Sequence, residues 1–188
     1  GLEVRDGHRI IEIGRVELLG RQVTQRHFHQ YVNPGRAVDP GAFAVHGISD
    51  DMLADKPKFA AIAQTFLEFV AGSTLIIHNA SFDMGFLDAE LKRLDKGCMN
   101  DYIDGVVDSL MMAREMFPGK RNNLDALCDR LGVNNAHRQL HGALLDSQIL
   151  GEVYLAMTRG QDSLVIDLSD TNDDREKIRM HCSIPCAI

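Results

Sequence analysis

The sequence has no apolar run near the roughly 18 residues that a membrane-crossing helix needs, and its first residues lack the basic-then-apolar pattern of an export signal. Both absences point to a soluble protein that is not exported, with no membrane among its partners. Cysteine is scarce: the four residues at 98, 128, 182 and 186 form no CxxC pair and no zinc-ligand spacing, so they read as free thiols in a reducing cytoplasm. Cys186 stands third from the end of the sequence, not fourth, which excludes a prenylation motif. Positive charge is short as well. Twenty Lys and Arg against 27 Asp and Glu give a net charge of −7, which argues against a broad basic face gripping nucleic acid. It leaves room for a site where bound cations invert the local sign.

What is there suits one globular domain. With 188 residues, 45% of them hydrophobic and 25% charged, the chain can bury about 70% of its unfolded surface. His8 to Leu19, with Ile10, Ile11 and Ile13, reads as a strand; Gly20-Arg21-Gln22 turns it into a second, Arg26 to Val32, making a hairpin. His27 and His29 share a face of that second strand, but with no third ligand nearby they read as exposed residues, not a metal pair. Val38 to Pro57 reads as an irregular loop with an N-cap at Ser49 or Asp50, and loops of that length are usually functional or disordered. Phe59 to Val70 has a clear helical period, and Thr74 to Ile77 is a short buried strand. Beyond it Phe86, Leu87, Leu91 and Leu94 mark another helix. Val106-Val107 is a further strand, Asp108 or Ser109 caps a helix from Leu110 to Met116, and Leu124 to Leu131 is one more. The alternation after residue 58 predicts an α/β fold with a partly parallel sheet.

Three residues carry chemistry at element starts. Asp83 falls in the first turn of a helix that follows a strand, where open α/β sheets place ligands. Leu140 to Asp146 opens a helix to about Met157, and there Asp146 shares a stripe with Ala143, Leu150, Val153 and Met157, a face that is normally buried. A charge in that stripe needs a partner. His141 meets Asp146 at one ligand only if it lies in the loop before the first turn, which Gly142 permits. Two carboxylates and a histidine suit a two-metal hydrolytic site, with oxygen ligands favouring Mg²⁺ or Mn²⁺ and the histidine as general base.

His78-Asn79-Ala80-Ser81-Phe82-Asp83, Met116 to Asn122, Leu124 to Cys128 and His141 to Asp146 together resemble the DEDDh 3′–5′ exonucleases. They are similar in particular to the proofreading epsilon subunits of bacterial DNA polymerase III. The resemblance runs from Gly1 to about Gln161. It implies a ribonuclease H-like fold, a mixed central sheet flanked by helices, and removal of nucleotides from the single-stranded 3′ end of DNA. It also implies Asp83 and Asp146 as catalytic metal ligands, His141 as general base, and His46, Asn79 and Phe82 as residues lining the bound 3′ end. The implied partner is the DNA polymerase III catalytic subunit, and the implied place is the cytoplasmic replisome. Gly41 stands where the family usually has an acidic residue.

Family members begin with a central strand ending in Asp-x-Glu, followed by Thr-Thr-Gly. This sequence starts at Gly1-Leu2, past that motif; Glu3 would follow the strand, and Glu12, among isoleucines, reads as structural. The expectation is an N-terminally incomplete exonuclease domain, residues 1–158, lacking its first central strand, with an incomplete metal shell and weak or no activity. Residues 159–188 are expected as a flexible tail. Within it Gln161, Ser163 and Leu164 belong to a segment similar to peptides that dock on the bacterial sliding clamp, while His181 to Ile188 matches no motif. Two other readings stay open: a related exoribonuclease, and a non-catalytic fragment that binds polymerase or clamp.

Overall fold

The computed structural model describes residues 4–137, 142–159 and 180–183. Five strands form one sheet in the order β2-β1-β5-β3-β4. The hairpin of β1 (Glu12–Leu19) and β2 (Gln22–Tyr31) is antiparallel, with a register shift between Val16 and Leu18. β3 (Thr74–Ile77) and β4 (Gly105–Asp108) are parallel, as expected of strands joined through a helix. Between these two ribbons lies β5 (Met180–Ser183), antiparallel to β1 and parallel to β3.

No strand precedes β1 among the described residues. The position between β1 and β3 is nevertheless filled, by residues that the sequence reading left in the tail. Backbone hydrogen bonds do not depend on side-chain identity, so a segment with no recognisable motif can satisfy the inner edges of both ribbons.

Helices cover both faces. β3 shows why: Leu75 and Ile77 point to one side and Ile76 to the other, all three fully buried. Leu75 and Ile77 join Ile10, Ile13 and residues of α3 (Phe59–Val70) and α4 (Ala80–Arg93), including Phe66, Phe86 and Leu91. Ile76 joins Val16, Leu18 and residues of α5 (Ser109–Met116), α6 (Leu124–Leu131) and α7 (Ala143–Met157), including Leu127, Leu150 and Val153. The product is a three-layer α/β fold.

The stretch expected as an irregular loop is not one. It contains α1 (Pro40–His46) and α2 (Asp50–Leu53). The Asp39 carboxylate caps the amides of Gly41 and Ala42, Pro40 occupies the first turn, and Gly47 closes α1 with φ of 70°. Ser49, as expected, caps α2 through the amide of Met52. Helices of seven and four residues are too short to show a hydrophobic period, which is why the sequence shows only the cap of α2.

Candidate active site

Both helix-start aspartates are buried. Asp83 retains 5% exposure and Asp146 1%. Asp146 does lie in the apolar stripe of Ala143, Leu150, Val153 and Met157, all buried. His141, expected beside it, lies outside the described residues, as do Gln161, Ser163 and Leu164.

Neither helix caps itself with a side chain; each takes a carboxylate from a neighbouring strand. α4 starts after Asn79, held in the left-handed region at φ 72°. Its first amides, on Asn79 and Ala80, donate to the Asp108 carboxylate at 3.2 and 3.0 Å. Asp108 also caps its own helix through the amides of Leu110 and Met111. α7 starts after Gly142, and the amide of Ala143 donates to Glu12 Oε1 of β1 at 3.2 Å. Gly14 is what lets the helix come that near: a Cβ there would collide with the backbone of Ala143 and Leu144. The Ser147 hydroxyl completes the contact, donating to the Gly14 carbonyl at 2.7 Å.

Glu12 is the residue that sequence reasoning undervalued. It is 3% exposed, and Oε1 also meets His29 Nε2 at 2.7 Å. His27 and His29 are both exposed as expected, and His29 is in addition engaged by this carboxylate. The second oxygen, Oε2, is buried with no hydrogen-bond partner among the described residues. Glu12, Arg15 and Asp83 line one small cavity of about 20 Å³, roofed by Phe86 and Leu87. The available signal was three charges, Glu12, Arg15 and Glu17, in an otherwise apolar strand; all three are buried.

His46 closes α1 and is 8% exposed. Its Nδ1 accepts from the amide of Ile48 at 2.9 Å, so Nε2 carries the proton, buried and without a hydrogen-bond partner among the described residues. Burial pushes the imidazole below the usual histidine range, an effect that the Glu12 charge partly opposes. Asn79 is exposed, and Phe82 is half-buried with its ring 5.1 Å from that of Phe86. His78, just before them, is locked: its ring nitrogens lie 3.0 Å from Ser109 Oγ and 2.8 Å from the Asn122 carbonyl.

Among the described residues no group of three or more His, Cys, Asp and Glu is placed to hold an ion. Asp83 and Asp146 by themselves supply fewer than the six oxygen ligands that Mg²⁺ takes, so waters or further residues would have to complete its shell. A buried guanidinium, Arg15, shares the cavity beside Asp83.

Comparison with known proteins bears on this geometry. The family model described as "Exonuclease" (RNase_T) matches residues 1–154. The DNA polymerase III subunit epsilon of Pasteurella multocida is 58% identical over 159 residues, which are 85% of this chain and 63% of that protein. The chain thus spans under two thirds of that relative's length. The subunit of the same name from Escherichia coli K12 is 51% identical over 172 residues, 91% of this chain and 71% of that one. Among solved structures, Exonuclease X in complex with 5′-overhanging duplex DNA superposes with a TM-score of 0.65 at 24% identity, covering 81% of this chain and 84% of that one. That likeness is one of fold.

Proposed function

The chain belongs to the exonuclease family, within which epsilon subunits of DNA polymerase III are its relatives, and from that premise we propose that it removes nucleotides from the 3′ end of single-stranded DNA as a replication proofreader. The observation that carries this reading is the burial of Asp83 and Asp146 in the first turns of α4 and α7, each helix start held by a carboxylate from a neighbouring strand. An aspartate in such a place is costly unless charge chemistry needs it there.

In this reading water attacks the terminal phosphorus, the bond to the 3′ oxygen of the preceding nucleotide breaks, and His141 takes the proton of the water. His46, Asn79 and Phe82 line the terminal nucleotide. Phe82 supplies a face for the base, and the Nε2–H of His46 and the side-chain amide of Asn79 supply donors. Asp83 and Asp146 are the carboxylates that would hold Mg²⁺ or Mn²⁺, which in such sites stabilises the attacking and leaving oxygens. DNA polymerase III and, through Gln161, Ser163 and Leu164, the sliding clamp are the partners this reading assigns, in a cytoplasmic replisome. No helix among the described residues is long and apolar enough to cross a membrane.

The test is incubation of 5′-labelled single-stranded DNA with Mn²⁺ and either the chain or its Asp146→Asn variant. Slow stepwise shortening from the 3′ end, abolished in the variant, supports the reading. Shortening that survives Asp146→Asn contradicts it. No shortening by either favours the non-catalytic binding fragment, for which the lack of a three-ligand group among the described residues speaks.

A further inference from the structure

A second cavity, larger than the one beside Asp83, lies next to the junction of β3 and α4. It has a volume of about 630 Å³ and is lined by His78, Asn79, Arg114, Lys120, Asn122 and Asn123, among others, a size typical of ligand sites. In a chain of net charge −7, its lining among the described residues holds two cations and no carboxylate. Neither Arg114 nor Lys120 makes an ion pair among the described residues.

The wall that presents Lys120 is rigid. The segment Met116 to Asn122, part of the family resemblance but without a role in the chemistry above, leaves α5 at Phe117 and turns at Gly119, φ 74°. The Asn122 side-chain amide donates to the carbonyls of Phe117 and Lys120 at 3.4 and 3.1 Å. Arg130 braces it from α6, donating to Asn122 Oδ1 and the Arg121 carbonyl while its guanidinium lies 4.5 Å over the Phe117 ring. His78 is tied to the same segment, with one ring nitrogen 2.8 Å from the Asn122 carbonyl and the other 3.0 Å from Ser109 Oγ. These contacts order the loop before any ligand arrives, so less entropy is lost on binding.

The cavity also touches the candidate active site. Asn79 lines it and stands four residues before Asp83, with no capping hydrogen bond from its side chain. The amides that open α4 are already taken by Asp108, so the attraction for an anion comes from Arg114 and Lys120 and not from the helix terminus.

We propose that this cavity is a second nucleic-acid contact: Arg114 and Lys120 hold phosphates of the substrate strand on the 5′ side of its terminal nucleotide, guiding that end past Asn79 toward Asp83. The inference rests on the exonuclease reading for its direction along the strand, but not for the binding itself. The chemistry is that of a phosphodiester chain: two cations spaced along an open cavity, with asparagine amides as neutral donors and no deep apolar pocket to select a base. Affinity should therefore be insensitive to sequence and steeply sensitive to salt.

The experiment measures binding of the full chain to a fluorescein-labelled oligothymidylate of about twelve nucleotides by anisotropy in EDTA, over a range of KCl concentrations. It is repeated with Arg114→Ala/Lys120→Ala and with the charge reversal Arg114→Glu/Lys120→Glu. The two sites are exposed, so both variants should keep the circular dichroism and Tm of the parent. The expected result is a Kd raised at least about tenfold by the charge reversal, and a slope of log K against log salt shallower by about 1.4 in the double alanine variant, about 0.7 for each lost phosphate contact on a single strand. An unchanged slope and a Kd within about twofold of the parent overturns the proposal, as does failure of the parent to bind at all. Thymidine 5′-monophosphate serves as the second probe. If it binds and the alanine variant abolishes that, while oligonucleotide binding keeps its slope, the cavity holds a released nucleotide and the strand contact is wrong. A parent chain that binds through this cavity yet cuts nothing would sink the exonuclease reading and leave the cavity standing. Shortening that the charge reversal leaves untouched, with unchanged binding, would do the opposite.

Discussion

α4 and α7 begin with the same problem and solve it at different distances. Each carries a buried aspartate in its first turn and lacks a side-chain N-cap hydrogen bond of its own. α4 is held by Asp108, whose carboxylate also caps α5 and accepts from four amides in all. α7 is held by Glu12, 131 positions away, in a strand whose backbone its first turn approaches through the glycine gap at Gly14. The first arrangement is polar and partly open; the second is buried and depends on backbone-to-backbone closeness. A fault should therefore spread further at α7 than at α4.

The largest expected effect is at Gly14. Gly14→Val drives a side chain into the backbone of Ala143 and Leu144 and should destabilise by about 3 kcal/mol or more, read as a lower urea midpoint with loss of any nuclease activity. Asp108→Ala leaves the starts of two helices without their acceptor and should lose about 2 kcal/mol. If it loses less than Gly14→Val but more than Glu12→Gln, the contrast between the two helix starts holds. Glu12→Ala strands a buried amide at Ala143, at about 1 to 3 kcal/mol, and Glu12→Gln, which keeps an acceptor oxygen, should recover most of it. Equal losses for Ala and Gln would show that the hydrogen bond to Ala143 is not what Glu12 supplies.

The smallest effect is one of pH. The His46 imidazole is held below its unfolded value by burial, so the unfolded chain binds more protons than the folded one in the window between the two values. Its contribution to stability is complete above about pH 6.5 and is lost as pH falls through the lowered folded value. Tm should drop on acidification below about pH 6.5, and His46→Asn should flatten part of that drop. An identical pH profile in the variant would remove His46 from the account.

How much of this was legible depends on the range of the interactions. The helical stripe of Ala143, Asp146, Leu150, Val153 and Met157 was visible because periodicity is local, and so was the burial it implies for Asp146. Asp108 was recognisable as a cap for α5, since its amide partners lie two and three residues on; its hold on α4 was not, because the sheet brings those residues together. Glu12 read as structural, which fits its bonds to His29 and Ala143, but nothing in the pattern of isoleucines names either partner. The central placement of Met180–Ser183 was invisible for the same reason, as strand pairing leaves no mark on so short a segment.

In the proposed site Asp83 and Asp146 supply the acidic core, and the described residues add no three-ligand group to them. Calorimetric titration of the chain with Mn²⁺, beside an Asp83→Asn/Asp146→Asn variant, tests it directly. Weak binding that the double variant abolishes is the predicted result. Two tight sites, or binding that survives the loss of both carboxylates, would contradict it.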